Sequence, residues 1–138
     1  MYPPLGSSPY ASAFVWVGRN VYIANQESST IELVRVDGKS KKRMVILTND
    51  GSPTGVAKPV SVAVDPANGK IYWLDQGGAG VPAKIGKANM DGSNPVILLQ
   101  GNLSVPEFLT IDPDTEKIYF SHSDEAKVGN KIFFFIKV

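Results

Sequence analysis

Cysteine is absent from this chain of 138 residues, which removes disulfides, thiolate nucleophiles and cysteine-ligated zinc together. Histidine occurs once, as His122, so no imidazole cluster is available. Nowhere does an apolar run reach the roughly 18 residues that a membrane-spanning helix needs. Neither charge dominates: 14 basic residues stand against 13 acidic ones, a balance that exerts no overall pull toward nucleic acid or an anionic membrane. The one basic run, KSKKR from Lys39 to Arg43, reads as a solvated turn, because a nucleic-acid surface gathers several such clusters on one face. Helical periodicity is missing beyond a turn or two. Residues 1–12, MYPPLGSSPYAS, carry prolines and serines where a signal peptide has a basic start and an apolar stretch, and are expected to form a flexible lead.

What the chain does contain is a period. KIYWLDQGG from Lys70 has counterparts in NVYIANQES from Asn20 and KIYFSHSDE from Lys117, which set Tyr22, Tyr72 and Tyr119 apart by 50 and 47 residues. Upstream, PVSVAVDP (Pro59–Pro66) matches PEFLTIDP (Pro106–Pro113), with the same spacing from proline to aspartate and from aspartate to tyrosine. Downstream, Ile31, Ile85 and Ile132 mark a further strand, and Asp37-Gly38 and Asp91-Gly92 follow the first two at equal distance. Each unit reads as four short strands, for the second copy VSVAVD, KIYWLD, KIGKANM and PVILLQ. PANG and DGSN join them, because Asn-Gly and Asp-Gly tolerate the positive φ of tight turns and proline falls at strand starts. Four antiparallel strands repeated every 40 to 50 residues is the arithmetic of a β-propeller. The expected fold is all-β, a partial β-propeller of two to three four-stranded antiparallel blades out of six. The expected division is a first blade over 13–58, a second over 59–105 and a partial third over 106–138. A β-sandwich is the alternative, but it does not ask for the same tyrosine, aspartate and proline at one spacing.

The second copy, from Pro59 to Leu99, resembles the YWTD or class B repeat of the low-density lipoprotein receptor family. Its phrases KIYWLDQGG and KANMDGSNPVILL follow that motif, with Leu74 where threonine is usual. The phrase from Gly80 to Ser93 is most similar to the giant receptors of the family. Three positions depart from the pattern. Asn25 and His122 replace the motif aspartate, and Val15 stands where the other copies have Asp65 and Asp112, so the first innermost strand is expected to be absent or degenerate. After Lys127 the tail VGNKIFFFIKV is either a third strand with Ile132 in register with Ile85 or foreign to the repeat. Two or three blades do not close a ring, and the open edges, KIFFFIKV above all, invite self-association.

The resemblance implies structural roles for Tyr22, Asn25, Asp37, Gly38, Asp65, Tyr72, Trp73, Asp75, Asp91, Gly92, Asp112 and Tyr119. Asp75 would tie its blade through neighbouring backbone or basic side chains, and Asp91 would shape a turn. No stretch spaces oxygen ligands as a calcium loop does, no serine has a nucleophile-elbow setting, and Gly77–Gly80 is not a phosphate loop. No metal, cofactor or catalytic residue is therefore expected. Histidine is the residue type that changes charge near physiological pH, which makes His122 a candidate pH sensor, against which stands its place at a degenerate position. Tyr72, Trp73, Tyr119 and Phe120 read as packing between blades before they read as a partner groove. Asn102-Leu103-Ser104 is a formal glycosylation sequon.

By resemblance the chain is a fragment of an endocytic receptor ectodomain on the extracellular side. It would be non-enzymatic, binding protein ligands or neighbouring receptor modules, with no nucleic-acid or membrane contact of its own. Two alternatives belong to other classes. One is a metal-dependent lactonase-like propeller hydrolase, for which the innermost strands offer only Asp65, Asp112 and Glu107. The other is a non-functional truncated product.

Overall fold

The computed structural model describes residues 14–37, 40–78, 80–101, 103, 105–123 and 131–137. Gly38 and Asn102 lie outside the described residues, as do the lead over 1–12, Ala13 and residues 124–130. The described residues form eleven strands in three antiparallel sheets, taken in chain order. The first holds β1 (Phe14–Val17), β2 (Asn20–Asn25), β3 (Thr30–Asp37) and β4 (Ser40–Thr48). The second holds β5 (Pro59–Asp65), β6 (Lys70–Asp75), β7 (Lys84–Asn89) and β8 (Val96–Gln100). In the third, β10 (Lys117–Ser123) lies between β9 (Val105–Asp112) and β11 (Lys131–Lys137). The innermost strands β1, β5 and β9 are neighbours in space, so the sheets stack face to face around a common axis. These are blades of a partial β-propeller, two of four strands and one of three.

Each interface between sheets has its own core. Tyr22, Ile31, Leu47, Val62, Ile71 and Trp73 fill the first. Tyr72, Leu74, Ile85, Leu109, Ile118 and Phe120 fill the second. Successive residues of one strand point to opposite faces, so Trp73 packs toward the first sheet and Tyr72 toward the third. The middle sheet is apolar on both sides for this reason.

Two expectations require correction. The first innermost strand is present: β1 pairs with β2 along its whole length, and Val15 stands opposite Tyr22 as Ala63 stands opposite Tyr72. The residue in the place of Asp65 is Val17, not Val15, because Gly18-Arg19 make a two-residue turn where the second sheet uses the four residues Pro66–Gly69. Gly18 has φ +60°, and glycine at the first position of such a turn matches the twist of the strands it joins.

The tail, for its part, pairs with β10 as a strand, but Ile132 is not in register with Ile85. Ile85 lies across from Leu74, whereas Phe133 lies across from Ser121, the counterpart of Leu74, and Ile132 falls opposite His122. A run that is apolar at nearly every position does not distinguish one register from the next, since either parity presents apolar residues to each face.

Candidate functional site

The motif aspartate of the second copy organises the segment that joins the first two sheets. Asp75 ends β6, fully buried, and its carboxylate accepts three backbone N–H groups. Ala57 donates to Oδ2 at 2.7 Å, while Lys58 and Gly77 donate to Oδ1 at 2.9 and 2.7 Å. The Gln76 N–H adds a bond to the Lys58 carbonyl at 2.9 Å. Lys84, opposite Asp75 in the ladder and itself buried, donates its ammonium to the Pro53 carbonyl at 3.1 Å. From the other side, Ser29 Oγ donates to the Ala57 carbonyl at 2.6 Å. A buried carboxylate needs such partners, and each bond to a charged group is stronger than one between neutral groups. The Asp75 side chain is thereby spent on backbone.

Asn25 holds the same position in the first copy and works differently. Its Oδ1 accepts from the Glu27 and Ser28 N–H groups at 3.1 and 3.2 Å, closing its own turn, and its Nδ2 faces Glu32 Oε2 at 3.4 Å. Glu32 is buried and paired with Arg43, whose Nη2 and Nε lie 2.7 and 2.8 Å from Oε1. An aspartate at position 25 would set a second carboxylate against Glu32; the amide supplies a donor instead. The sequence reading missed Glu32 and its pair with Arg43, because only the β3–β4 pairing brings residues 32 and 43 together.

The remaining aspartates shape turns. Asp65 accepts from Asn68 through its N–H at 3.3 Å and its Nδ2 at 2.7 Å. Asp112 accepts from the N–H groups of Asp114 and Thr115 and from Thr115 Oγ1 at 2.7 Å. Asp91 accepts from Ser93, through the N–H at 2.9 Å and Oγ at 2.5 Å. The side-chain bonds from Ser93 and Thr115 hold the Asp91 and Asp112 carboxyls below the ordinary carboxylate pKa, and Ser52 does the same for Asp50. Asp37 stands opposite Ser40 at the tip of the first sheet's outer hairpin. Asp65 and Asp112 close separate turns and do not converge. Among the described residues no group of three or more His, Asp or Glu side chains is placed to hold a metal ion.

The tyrosines face the next sheet. Tyr22 OH donates to the Met90 carbonyl at 3.0 Å, joining β2 to the β7–β8 turn of the second sheet. Gly92 follows in that turn at φ +86°, where a Cβ would come within 2.2 Å of the Ile46 carbonyl oxygen. Tyr72 opens instead onto a cleft of about 190 Å³ shared with Asp65, Asn68, Lys70, Lys87 and Glu116. Burial pushes both phenols up, with Asp91 adding to Tyr22 and Asp65 and Glu116 to Tyr72. Trp73 lies buried over Gly86, its ladder partner, where any Cβ would meet the indole at 2.2 Å. On the third sheet Tyr119 and Phe108 are 41% and 56% exposed, and His122 is buried at the end of β10. A second cleft, of about 550 Å³, opens among the loops that join the first two sheets and is lined by Gln26, Ser29, Asn49, Lys58 and Val81.

Three sheets stacked face to face, with the buried Asp75 carboxylate pinning the segment that joins the first two, make the chain a stretch of propeller blades. Residues 69–113 match the family model of the low-density lipoprotein receptor repeat class B, so the chain carries a repeat of that kind. It is 32% identical over 105 residues to the vitellogenin receptor of Solenopsis invicta, covering 76% of this chain and 5% of that receptor. To low-density lipoprotein receptor-related protein 5 of Mus musculus it is 36% identical over 72 residues, which is 52% of this chain and 4% of the other. The chain thus spans about a twentieth of the length of these two receptor-type relatives. Among solved structures, the nidogen/laminin complex contains a chain 27% identical to this one, with a TM-score of 0.61 over 83% of this chain and 43% of that one. These likenesses support the class B repeat and do not single out the giant receptors among the proteins that carry it.

Proposed function

We propose that this chain supplies blades to a receptor-type propeller on the extracellular side of a membrane, where it binds protein ligands or neighbouring modules without catalysing a reaction. The observation that carries this reading is the use of the repeat's polar residues. Asp75, Asn25, Asp65, Asp91 and Asp112 all accept hydrogen bonds from the chain's own backbone or turn residues, so they build framework, and among the described residues no set of His, Asp and Glu converges to hold a metal. The names of its relatives agree, since they are receptors, and the nidogen relative was solved in a complex with laminin.

Ring completion belongs to the same reading. Tyr72 is 4% exposed beneath the third sheet, while its counterpart Tyr119 is 41% exposed. That face takes a further blade, from the same polypeptide or from other copies, as part of endocytic receptor architecture. Light scattering after size exclusion, with a thermal melt of the same sample, tests it. A cooperative melt from a discrete species near two copies is expected, since two copies of three sheets together hold the six blades of one ring. Loss of any cooperative transition would mark a product that does not fold. Calcium-dependent turnover of a small lactone would overturn the non-enzymatic reading.

A further inference from the structure

Two tyrosines at one position of the repeat meet different surroundings. At the first junction the Tyr22 hydroxyl donates to the Met90 carbonyl at 3.0 Å, and the Met90 N–H donates to the Gly69 carbonyl at 3.1 Å. One residue of the β7–β8 turn is thus held through both of its backbone groups. Tyr72 is the counterpart of Tyr22 and is 4% exposed, yet its hydroxyl has no partner among the described residues and borders the cleft of about 190 Å³. A buried hydroxyl without an acceptor is destabilising, and a ligand that supplies one removes that cost.

The opposite wall repeats the first junction with one change. Glu116 precedes Lys117 at the start of β10 as Gly69 precedes Lys70 at the start of β6, and it has φ +54° where Gly69 has +64°. A non-glycine residue in that conformation costs stability, and such strain gathers at binding sites. Charge differs as well. Val17 and Leu33 hold in the first sheet the places of Asp65 and Lys87 in the second. Leu33 packs against the same core as Met90, an apolar wall for an apolar side chain. Beside Tyr72, Asp65 is bound by Asn68 and Lys70 by Asn89, which leaves Lys87 on the second sheet and Glu116 on the third as cation and anion on opposite walls. Val138 follows Lys137, the partner of Lys117, and so holds the place of Met90 in the third sheet; it lies outside the described residues, and a valine answers neither charge.

We propose that the Tyr72 cleft seats a turn of a partner protein, with a backbone carbonyl accepting from Tyr72 and flanking side chains that turn an acid to Lys87 and a base to Glu116. This rests on the reading that the chain binds proteins, and puts one contact at the end of β6 opposite to Asp75. A small anion fits less well, because Asp65 and Glu116 stand beside the phenol and favour a neutral acceptor. The volume is below the roughly 300–1,000 Å³ of cofactor pockets, so it takes the tip of a larger partner.

A cyclic peptide with the sequence of residues 87–95, KANMDGSNP, is the probe, because the first junction holds this turn against a tyrosine and it bears both charges. Titrated into the full chain labelled with nitrogen-15, it should shift the amides of Lys87 and Glu116 saturably. Tyr72→Phe should weaken it about fivefold, the worth of one hydrogen bond, and Lys87→Glu about threefold. Tyr22→Phe should leave it unchanged. Lys87→Glu with Glu116→Lys should transfer the preference to a peptide in which lysine and aspartate are exchanged. Equal affinity in Tyr72→Phe and the unmodified chain, or no saturable shift, would overturn the seat. Shifts confined to Asn49 and Lys58, at the other end of the sheets, would overturn it while leaving protein binding intact; failure of that broader reading shows separately, as lactone turnover or the lack of a cooperative melt.

Discussion

The two junctions between sheets use the same repeat and close to different degrees. Near the axis they are alike: apolar side chains interdigitate, and polar bonds cross from sheet to sheet. Asp75 gathers Ala57 and Lys58 across the first junction; Gln76 Nε2 reaches the Pro106 carbonyl at 2.8 Å and Ser61 Oγ bonds Leu109 across the second. Toward the rim they diverge. The β7–β8 turn seals the first junction with the Tyr22 bond and the close approach of Gly92 to Ile46, while the cleft beside Tyr72 stays open at the second. The inner strands therefore fix how blades stack, and an outer turn is what finishes the seal.

The strongest way to break the first junction is to remove its buried acceptor. Asp75→Ala strands three backbone donors, and we expect a loss of about 3–5 kcal/mol in urea unfolding. Gly92→Ala comes next, at about 2–4 kcal/mol, because its Cβ has no room against Ile46 and its φ is positive. Gly101→Ala shares the positive φ but meets nothing within 4 Å, so it should cost only about 1 kcal/mol and separates conformational strain from the clash. If the two variants prove equal, the turn does not seal the junction.

Tyrosine removal sharpens the comparison. Tyr22→Phe loses the bond to Met90 and should cost about 1 kcal/mol, whereas Tyr72→Phe should change stability by no more than about 0.3 kcal/mol. Both phenols are raised from 10.0, so their contribution is full below that value and is lost as pH climbs through the folded pKa. Alkaline melts of the two variants should show that loss reduced in each. At the acid end the sign reverses. Asp50, Asp91 and Asp112 are lowered from 3.8, so their contribution is present above that value and fades as pH falls through the folded pKa. The effect is the smallest expected, since these turns are open to solvent, and Ser93→Ala should shrink it in melts between neutral and strongly acid pH.

Much of this comparison could be read from residues in order. Spacing of Tyr22, Tyr72 and Tyr119 foretold the repeat, and Asp-Gly and Asn-Gly marked turns that the fold indeed makes at Asp91-Gly92 and Asn68-Gly69. Alternate sides for Tyr72 and Trp73 follow from the pleat alone. The first hairpin was misaligned because spacing cannot reveal that a turn is two residues shorter. Register at Ile132 was misjudged because IFFFI looks the same from either face. Glu32, Arg43 and Gly86 gave no local signal, since their partners come from other strands.

By itself, then, the sequence determined the period, the strand and turn chemistry and the class of repeat, because these depend on neighbours within a few residues. Only the tertiary structure decided that Asp75 accepts from Ala57 and Lys58, where Tyr22 finds its carbonyl and how Glu32 meets Arg43. Those contacts join residues 11 to 68 positions apart, and a hydrogen bond or an ion pair is set by separation in space, to which chain order is no guide once strands have paired.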